Sequence, residues 1–310
     1  MTGGNPNMLS VPKELSGETK KMVSVGKDQK YYVDPKNKKA VREFRKQLGV
    51  YTSKKKILLT KTFPWIWRFL PFELVNTSAA LIYRGTNLKL FDFDKVTVTT
   101  VFRDQDTMTK NVKWLKKLGA LDCVVDIIST CKEEKTITAK YLDFEILQLK
   151  NFLIHVKDVV EINNRLGKAK KTVRLADFTR ALPEGQRELL KRRIKELGIS
   201  EKTIPLAVSH GDFHPGNLPR YGLKFYLLDF DSVDMRPKIF DFAYFSFVPA
   251  HFNMAYAKTG MRLFKKFLNF VDVSPIELVA SLSMIRSSDK KFQNFFEENG
   301  LFLEYLEEGI

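Results

Sequence analysis

Between Leu206 and Asp234 the chain reads LAVSHGDFHPGNLPRYGLKFYLLDFDSVD, two apolar runs that each end on an aspartate, with a segment rich in turn-forming residues between them. Pro215 and Gly216 stand between Asp212 and Asn217, and Asp, Pro, Gly and Asn are the residue types that turns favour. The pattern predicts a short strand, LAVSHGD, a tight loop, and a second strand, KFYLLDFD, that returns Asp229 to Asp212 and Asn217 as a hairpin would. Taken alone, Asp212 and Asn217 would be an ordinary Asx-rich turn. Asp229 at the end of an apolar strand, followed by Asp241, makes them a candidate site.

Such a set of oxygen groups fits phosphoryl transfer, where the protein orients a hydroxyl, holds Mg²⁺ with hard oxygen ligands and neutralises charge on the moving group. In that chemistry Asp212 accepts the hydroxyl proton or holds the hydroxyl in line. The amide oxygen of Asn217 and the carboxylate of Asp229 are ligands suited to Mg²⁺. His210 reads as an organiser of the loop. His210 and His214 are four apart, but that spacing presents two rings together only on a helix, and Pro215 and Gly216 argue for a loop, so zinc is not expected. His155 and His251 are single histidines in apolar surroundings, read as core or pocket lining.

HGDFHPGN, then LLDFD, then IFDFAYF resemble the motifs of the aminoglycoside phosphotransferase and choline kinase family. The resemblance is concentrated over residues 205–248. It implies a protein-kinase-like α+β fold with two lobes and the use of ATP and Mg²⁺. It also implies Asp212 as catalytic base, Asn217 and Asp229 as magnesium ligands, Asp231 as a variable acidic position and Asp241 as a structural aspartate steadying the loop. Some of Tyr244, Phe245, Phe247, Phe252 and Tyr256, which read first as helix packing, would lie near the acceptor pocket. The small lobe departs from the pattern. Where the family places a lysine on the third strand, KVTVTTVF has Thr100; no glutamate occurs between Glu73 and Glu133; and Gly85 stands alone where a glycine-rich loop is expected. Lys95, at the start of that strand, is the substitute the sequence offers for nucleotide binding. The departures leave two expectations open: a small-molecule kinase acting on a hydroxyl of a sugar, an amino alcohol or a membrane-linked glycan, or a catalytically weak pseudokinase serving as a binding module.

The boundaries predicted are a basic extension over 1–75, a small lobe over 76–142 and a large helical lobe over 143–310. Three strand-like runs, AALIYRG, NLKLFDF and KVTVTTVF, precede a helix, DTMTKNVKWLKKLG, capped by Asp106 or Thr107, and two further strands, CVVDIIST and KTITAKYLD. LKNFLIHVKDVVEINNRLG and PEGQRELLKRRIKELG then read as helices. Ahead of them, VREFRKQLGV predicts a short helix ending at Gly49. A formal charge of +16 calls for an anionic partner. The segment KKKILLTKTFPWIWRFLPF, within residues 54–74, mixes cations with Trp65, Trp67 and Phe69 as an interfacial membrane helix would, or else packs onto the small lobe. No stacking or groove-reading module accompanies the charge, so nucleic acid is not expected. Two cysteines, Cys123 and Cys131, in what read as adjacent strands imply no disulfide framework, and the N-terminus lacks the form of a signal peptide. The expected location is the cytoplasm, with peripheral contact at the inner face of the membrane.

Overall fold

The computed structural model describes residues 17–25, 31–51, 72–119, 121–166, 170–252 and 256–286. The N-terminal tail, residues 54–71 with the three aromatics singled out above, the side chains of His251 and Phe252, and the chain after residue 286 lie outside that description.

The first unit is a sheet whose strands alternate side chains between two faces. Its elements run β1 (Thr19–Val25), β2 (Tyr31–Val33), α1 (Lys38–Tyr51), β3 (Phe72–Asn76), β4 (Leu81–Arg84), β5 (Leu88–Asp92), β6 (Thr97–Val101), α2 (Gln105–Leu118), β7 (Ile127–Cys131) and β8 (Thr136–Lys140). The sheet has eight strands in the order β3-β1-β2-β4-β5-β6-β8-β7, and every pairing is antiparallel. The strand, strand, strand, helix, strand, strand order read from the sequence is the order of β4 to β8. Helix α2 is capped by Asp104, two residues ahead of the predicted cap, because its carboxylate accepts from both Thr107 N (2.7 Å) and Thr107 Oγ1 (2.9 Å).

The stretch ahead of residue 76 also belongs to this sheet, where the sequence predicts a separate extension. β1, β2 and β3 continue the ladder beyond β4, and α1 runs past Gly49 to lay Ala40 and Phe44 against Val23, Val33, Leu81 and Phe91. Glu43 accepts from the Tyr141 hydroxyl at 2.9 Å, and Arg42 and Lys46 both pair with Asp143, so one face of α1 is tied to the chain just after β8. These strands escape sequence reading because KKMVSV and YYV are short, and the lysines that open β1 disguise its alternation.

The second unit is mainly helical and is built on a small sheet, β13 (Asp234–Arg236), β10 (Thr203–Ser209) and β9 (Lys170–Arg174), in that order. Around it lie a 3₁₀ helix (Leu149–Ile154), α3 (Val156–Leu166), α4 (Leu175–Ala181), α5 (Glu184–Glu196), α6 (Phe240–Phe252), α7 (Ala257–Leu268) and α8 (Pro275–Arg286), with a two-residue-per-strand hairpin of β11 (Arg220–Tyr221) and β12 (Lys224–Phe225). The predicted helix LKNFLIHVKDVVEINNRLG is therefore two elements, broken at His155. α6 is apolar on nearly every side, with Phe242, Ala243, Phe245 and Phe247 fully buried, which suits a helix enclosed by neighbours. α7 approaches it so closely that a Cβ on Gly260 would lie 2.2 Å from the carbonyl oxygen of Ser246. No helix among the described residues is long and apolar enough to cross a membrane.

Phe44 is fully buried, so Phe44→Ala is expected to destabilise the protein by about 3–5 kcal/mol. Denaturant unfolding measures this; a change within experimental error would show that α1 is not part of the sheet's core.

Candidate active site

One buried carboxylate organises the loop that the sequence singles out. Asp241, in the first turn of α6 and 1% exposed, accepts four hydrogen bonds. Its Oδ1 receives the Ser209 hydroxyl (2.7 Å) and Gly211 N (3.0 Å), and its Oδ2 receives His210 N (2.8 Å) and Asn163 Nδ2 (2.9 Å). Two consecutive backbone N–H groups are thus held at the point where β10 ends, which fixes the direction in which the chain leaves the strand. Gly211 takes φ +79, a conformation L side chains rarely adopt, and a Cβ there would sit 2.2 Å from Ser232 O and 2.3 Å from Arg236 Nη1. Arg236 itself donates to Ser232 O at 2.8 Å and lies 5.1 Å over the Phe240 ring, which brings β13 and its preceding turn close to that glycine.

His210 is fully buried between the rings of Phe213 (5.9 Å) and Phe230 (5.3 Å). Burial pushes its imidazole toward the neutral form, against the pull of Asp241 and Asp212. Nε2 lies 2.9 Å from the Leu228 carbonyl oxygen, which can only accept, so the neutral ring carries its proton on Nε2. Among the described residues its Nδ1 has no hydrogen-bond partner, and a buried bare acceptor is not a group poised to shuttle protons.

Past Gly211 the backbone turns as predicted, and Asn217 closes the loop by donating Nδ2 to Asp212 O and to Asp212 Oδ2, both at 2.9 Å. The other carboxylate oxygen, Oδ1, accepts the Tyr244 hydroxyl at 3.0 Å. His214 Nε2 stands 3.6 Å from Oδ2, too far for a hydrogen bond, while its Nδ1 accepts from Gly216 N at 3.0 Å. Burial raises the Asp212 carboxyl, but the two histidines, His214 first, and the Tyr244 hydroxyl outweigh it and hold the group below the usual carboxylate range. Of these, the Tyr244 bond is the firm one, because the histidine contributions need imidazolium rings. Tyr244 is raised in turn, by burial first and then by the Asp212 charge. The aromatic run of α6 reads as packing in the sequence, and only the fold shows that Tyr244 turns its hydroxyl to the loop.

A hairpin formed later in the chain than predicted returns Asp229 to this place. Lys224 and Phe225 pair with Tyr221 and Arg220, and the same register continues through Tyr226 N to Pro219 O (2.9 Å) and Leu228 N to Asn217 O (3.0 Å), while Leu227 bridges Val124 with its N–H on Cys123 O (2.7 Å). Leu228 is therefore gripped on its N–H by Asn217 and on its carbonyl by His210, and Asp229 follows directly. Asp229 has φ 65 and ψ 76, a left-handed conformation that costs a residue with a side chain about 1–2 kcal/mol. Strain of this kind collects where a side chain must point in one direction. Asp231 is half-buried in the 3₁₀ turn that follows, Phe230–Ser232.

The donor set suits Mg²⁺. Asn217 spends its amide nitrogen on Asp212, which leaves the amide oxygen as the atom it can offer, and Asp229 offers a carboxylate; one or two hard protein ligands are what this ion usually takes when it also binds phosphates. Among the described residues there is no cluster of three or more His, Cys, Asp or Glu side chains placed to hold a metal. His155, the other described histidine, is half-buried beside Asp158 at 3.0 Å.

In the first unit, Lys95 does not begin a strand. It lies in the turn between β5 and β6 with its side chain 63% exposed, 3.9 Å from Asp92. Thr100 is on β6, directly opposite Lys89 of β5 and Ile137 of β8. Directly opposed residues share a face, so a lysine stands beside Thr100 one strand away. The signal was the register, which a single sequence does not display.

No protein-family profile and no curated relative matches the chain. Among solved structures it is similar to a choline/ethanolamine kinase family protein from Mesorhizobium loti, with 14% identity over 70% of this chain and 78% of the other at a TM-score of 0.45. It is also similar to a choline kinase from Streptococcus pneumoniae, with 15% identity over 79% and 92% of the two chains at 0.46. A third is an amicoumacin kinase in complex with AMP-PNP and Ca²⁺, with 11% identity over 85% and 95% at 0.44. Scores below 0.5 leave the reading of the site to its own geometry.

Asp241→Asn keeps the size of the side chain but replaces one acceptor oxygen with an N–H₂ group facing donors. It is expected to cost about 3–5 kcal/mol of stability, as loss of one partner from a buried charged network does. Asn163→Ala, which removes one of the four bonds, is expected to cost about 1–3 kcal/mol. Equal losses in denaturant unfolding of the two variants would contradict the keystone role of Asp241.

Proposed function

We propose that the protein is an ATP- and Mg²⁺-dependent phosphotransferase that acts on a hydroxyl group of a small molecule. The observation that carries the reading is the arrangement of Asp212, held by Asn217 and Tyr244, beside an Asp229 whose backbone is fixed in a strained left-handed conformation.

In this reading Asp212 orients the acceptor hydroxyl. A carboxylate held below its usual range is too weak a base to deprotonate an alcohol in advance, so it takes the proton late, as the oxygen becomes acidic on bonding to phosphorus. The Tyr244 and Asn217 bonds hold the carboxylate still and leave its remaining lone pairs for the acceptor. Asn217 Oδ1 and the Asp229 carboxylate would hold the metal, which, when bound, neutralises charge on the nucleotide phosphates. Neutral His210 keeps Leu228, and with it Asp229, in place. Lys89, which shares a face with Thr100, is the lysine of the first unit proposed for nucleotide binding in place of Lys95, which lies in the turn between β5 and β6. The acceptor belongs to the class of sugars, amino alcohols or glycan units.

The discriminating experiment is a thermal-shift titration with ATP and Mg²⁺, paired with a transfer assay. The wild type is expected to be stabilised by nucleotide, since a ligand that binds only the folded state raises apparent stability. Asp212→Asn is expected to keep that shift while losing transfer by about 100-fold or more. Lys89→Ala weakens the nucleotide response about tenfold, and Lys95→Ala leaves it unchanged, if the assignment of the phosphate contact is right. No shift at millimolar nucleotide would replace the enzyme reading with that of a binding module. Undiminished transfer by Asp212→Asn would remove that residue from its role.

A further inference from the structure

Four of the seven large hydrophobic side chains that stand exposed among the described residues belong to one region of the second unit: Ile154 (82% exposed), Tyr221 (49%), Leu223 (95%) and Phe270 (47%). Tyr221 and Leu223 form the tip of the β11–β12 hairpin, which turns at Gly222 (φ 61). Phe225, two residues on, is buried against the rings of Phe152 (5.7 Å) and His155 (5.2 Å), and Ile154 lies between those two. The end of α7 joins the same region, because Lys266 Nζ donates to Leu153 O at 3.0 Å and the Lys157 ammonium stands 6.0 Å over the Phe270 ring.

Cations frame these apolar groups. Lys150, Lys157, Lys224 and Lys266 are all exposed. Of the acidic groups close by, Asp122 is engaged by Arg165 and Lys224 and Asp158 by His155, while Asp272 is exposed near Phe270, so the cations still outnumber the free carboxylates. Scattered apolar residues on a surface need no explanation, but a linked group of this size does. A protruding turn capped by leucine is the wrong shape for a ligand pocket and a good one for entering the boundary between lipid headgroups and chains. Side chains of Leu, Ile, Tyr and Phe settle there while lysine stems extend to the phosphates. Each lysine near an anionic leaflet adds to the attraction, and the formal charge of +16 favours the same approach.

We propose that this face docks the protein on an anionic lipid bilayer, with Leu223 and Ile154 as the inserted groups. The inference is independent of the catalytic reading and of residues 54–71.

Sedimentation of the full chain with vesicles tests it, comparing phosphatidylglycerol-containing vesicles with pure phosphatidylcholine at low and high salt. Wild type is expected to bind the anionic vesicles, with binding reduced by salt. The double variant Leu223→Asp, Ile154→Asp is expected to bind about tenfold less or weaker still, with an unchanged thermal midpoint because both side chains face solvent. Absence of binding, or equal binding to the uncharged vesicles, overturns the proposal. So does equal binding by wild type and variant, which would move the contact to another surface. Self-association of the wild type that the variant abolishes would make a second copy of the chain the occupant instead.

Discussion

The carboxylate of Asp241 is the contact on which the arrangement of the loop depends. It is a buried charge, and a buried charge is tolerable only when it is fully hydrogen-bonded. Here two of its four donors are the consecutive amides of His210 and Gly211, so satisfying the charge and shaping the exit from β10 are the same event. Everything downstream inherits that direction. Gly211 takes a left-handed turn, Asp212 emerges beside Tyr244 on the helix that also carries Asp241, and Asn217 folds back onto Asp212.

A second chain of contacts delivers Asp229. Backbone groups of Leu228 are shared between Asn217 and His210, and His210 is held by Asp241. One carboxylate thereby governs both Asp212 and Asp229 through neutral intermediaries. A fully buried histidine has a physical role here: the Leu228 carbonyl needs a donor, and the ring supplies it from within an apolar enclosure.

Much of this was legible in the sequence. Pro215 and Gly216 between Asp212 and Asn217 announce a loop, and the strand, strand, strand, helix, strand, strand order from Leu81 to Lys140 follows from alternation and helical spacing. What could not be read depends on long-range geometry. The run KFYLLDFD has the composition of a strand, but its partner is the chain from Asn217 to Tyr221 and, at Leu227, Val124, whereas LAVSHGD pairs with β9 and β13. β1 to β3 are short and join a sheet whose other strands lie far along the chain, and α1 is held by Tyr141 and Asp143 about a hundred residues away. Tyr244 sits in a run of aromatics whose common purpose is packing, so nothing local marks it. Lys89 becomes notable only once the register places it opposite Thr100.

The central claim is that Asn217 and Asp229 present oxygen ligands to a divalent ion that accompanies a nucleotide. Binding of Mn²⁺ in place of Mg²⁺, followed by electron paramagnetic resonance with and without a non-hydrolysable ATP analogue, measures this directly. The account predicts a nucleotide-dependent Mn²⁺ site that Asp229→Ala abolishes and Asn217→Ala weakens by about tenfold or more. Mn²⁺ binding of equal strength in wild type and Asp229→Ala would contradict it.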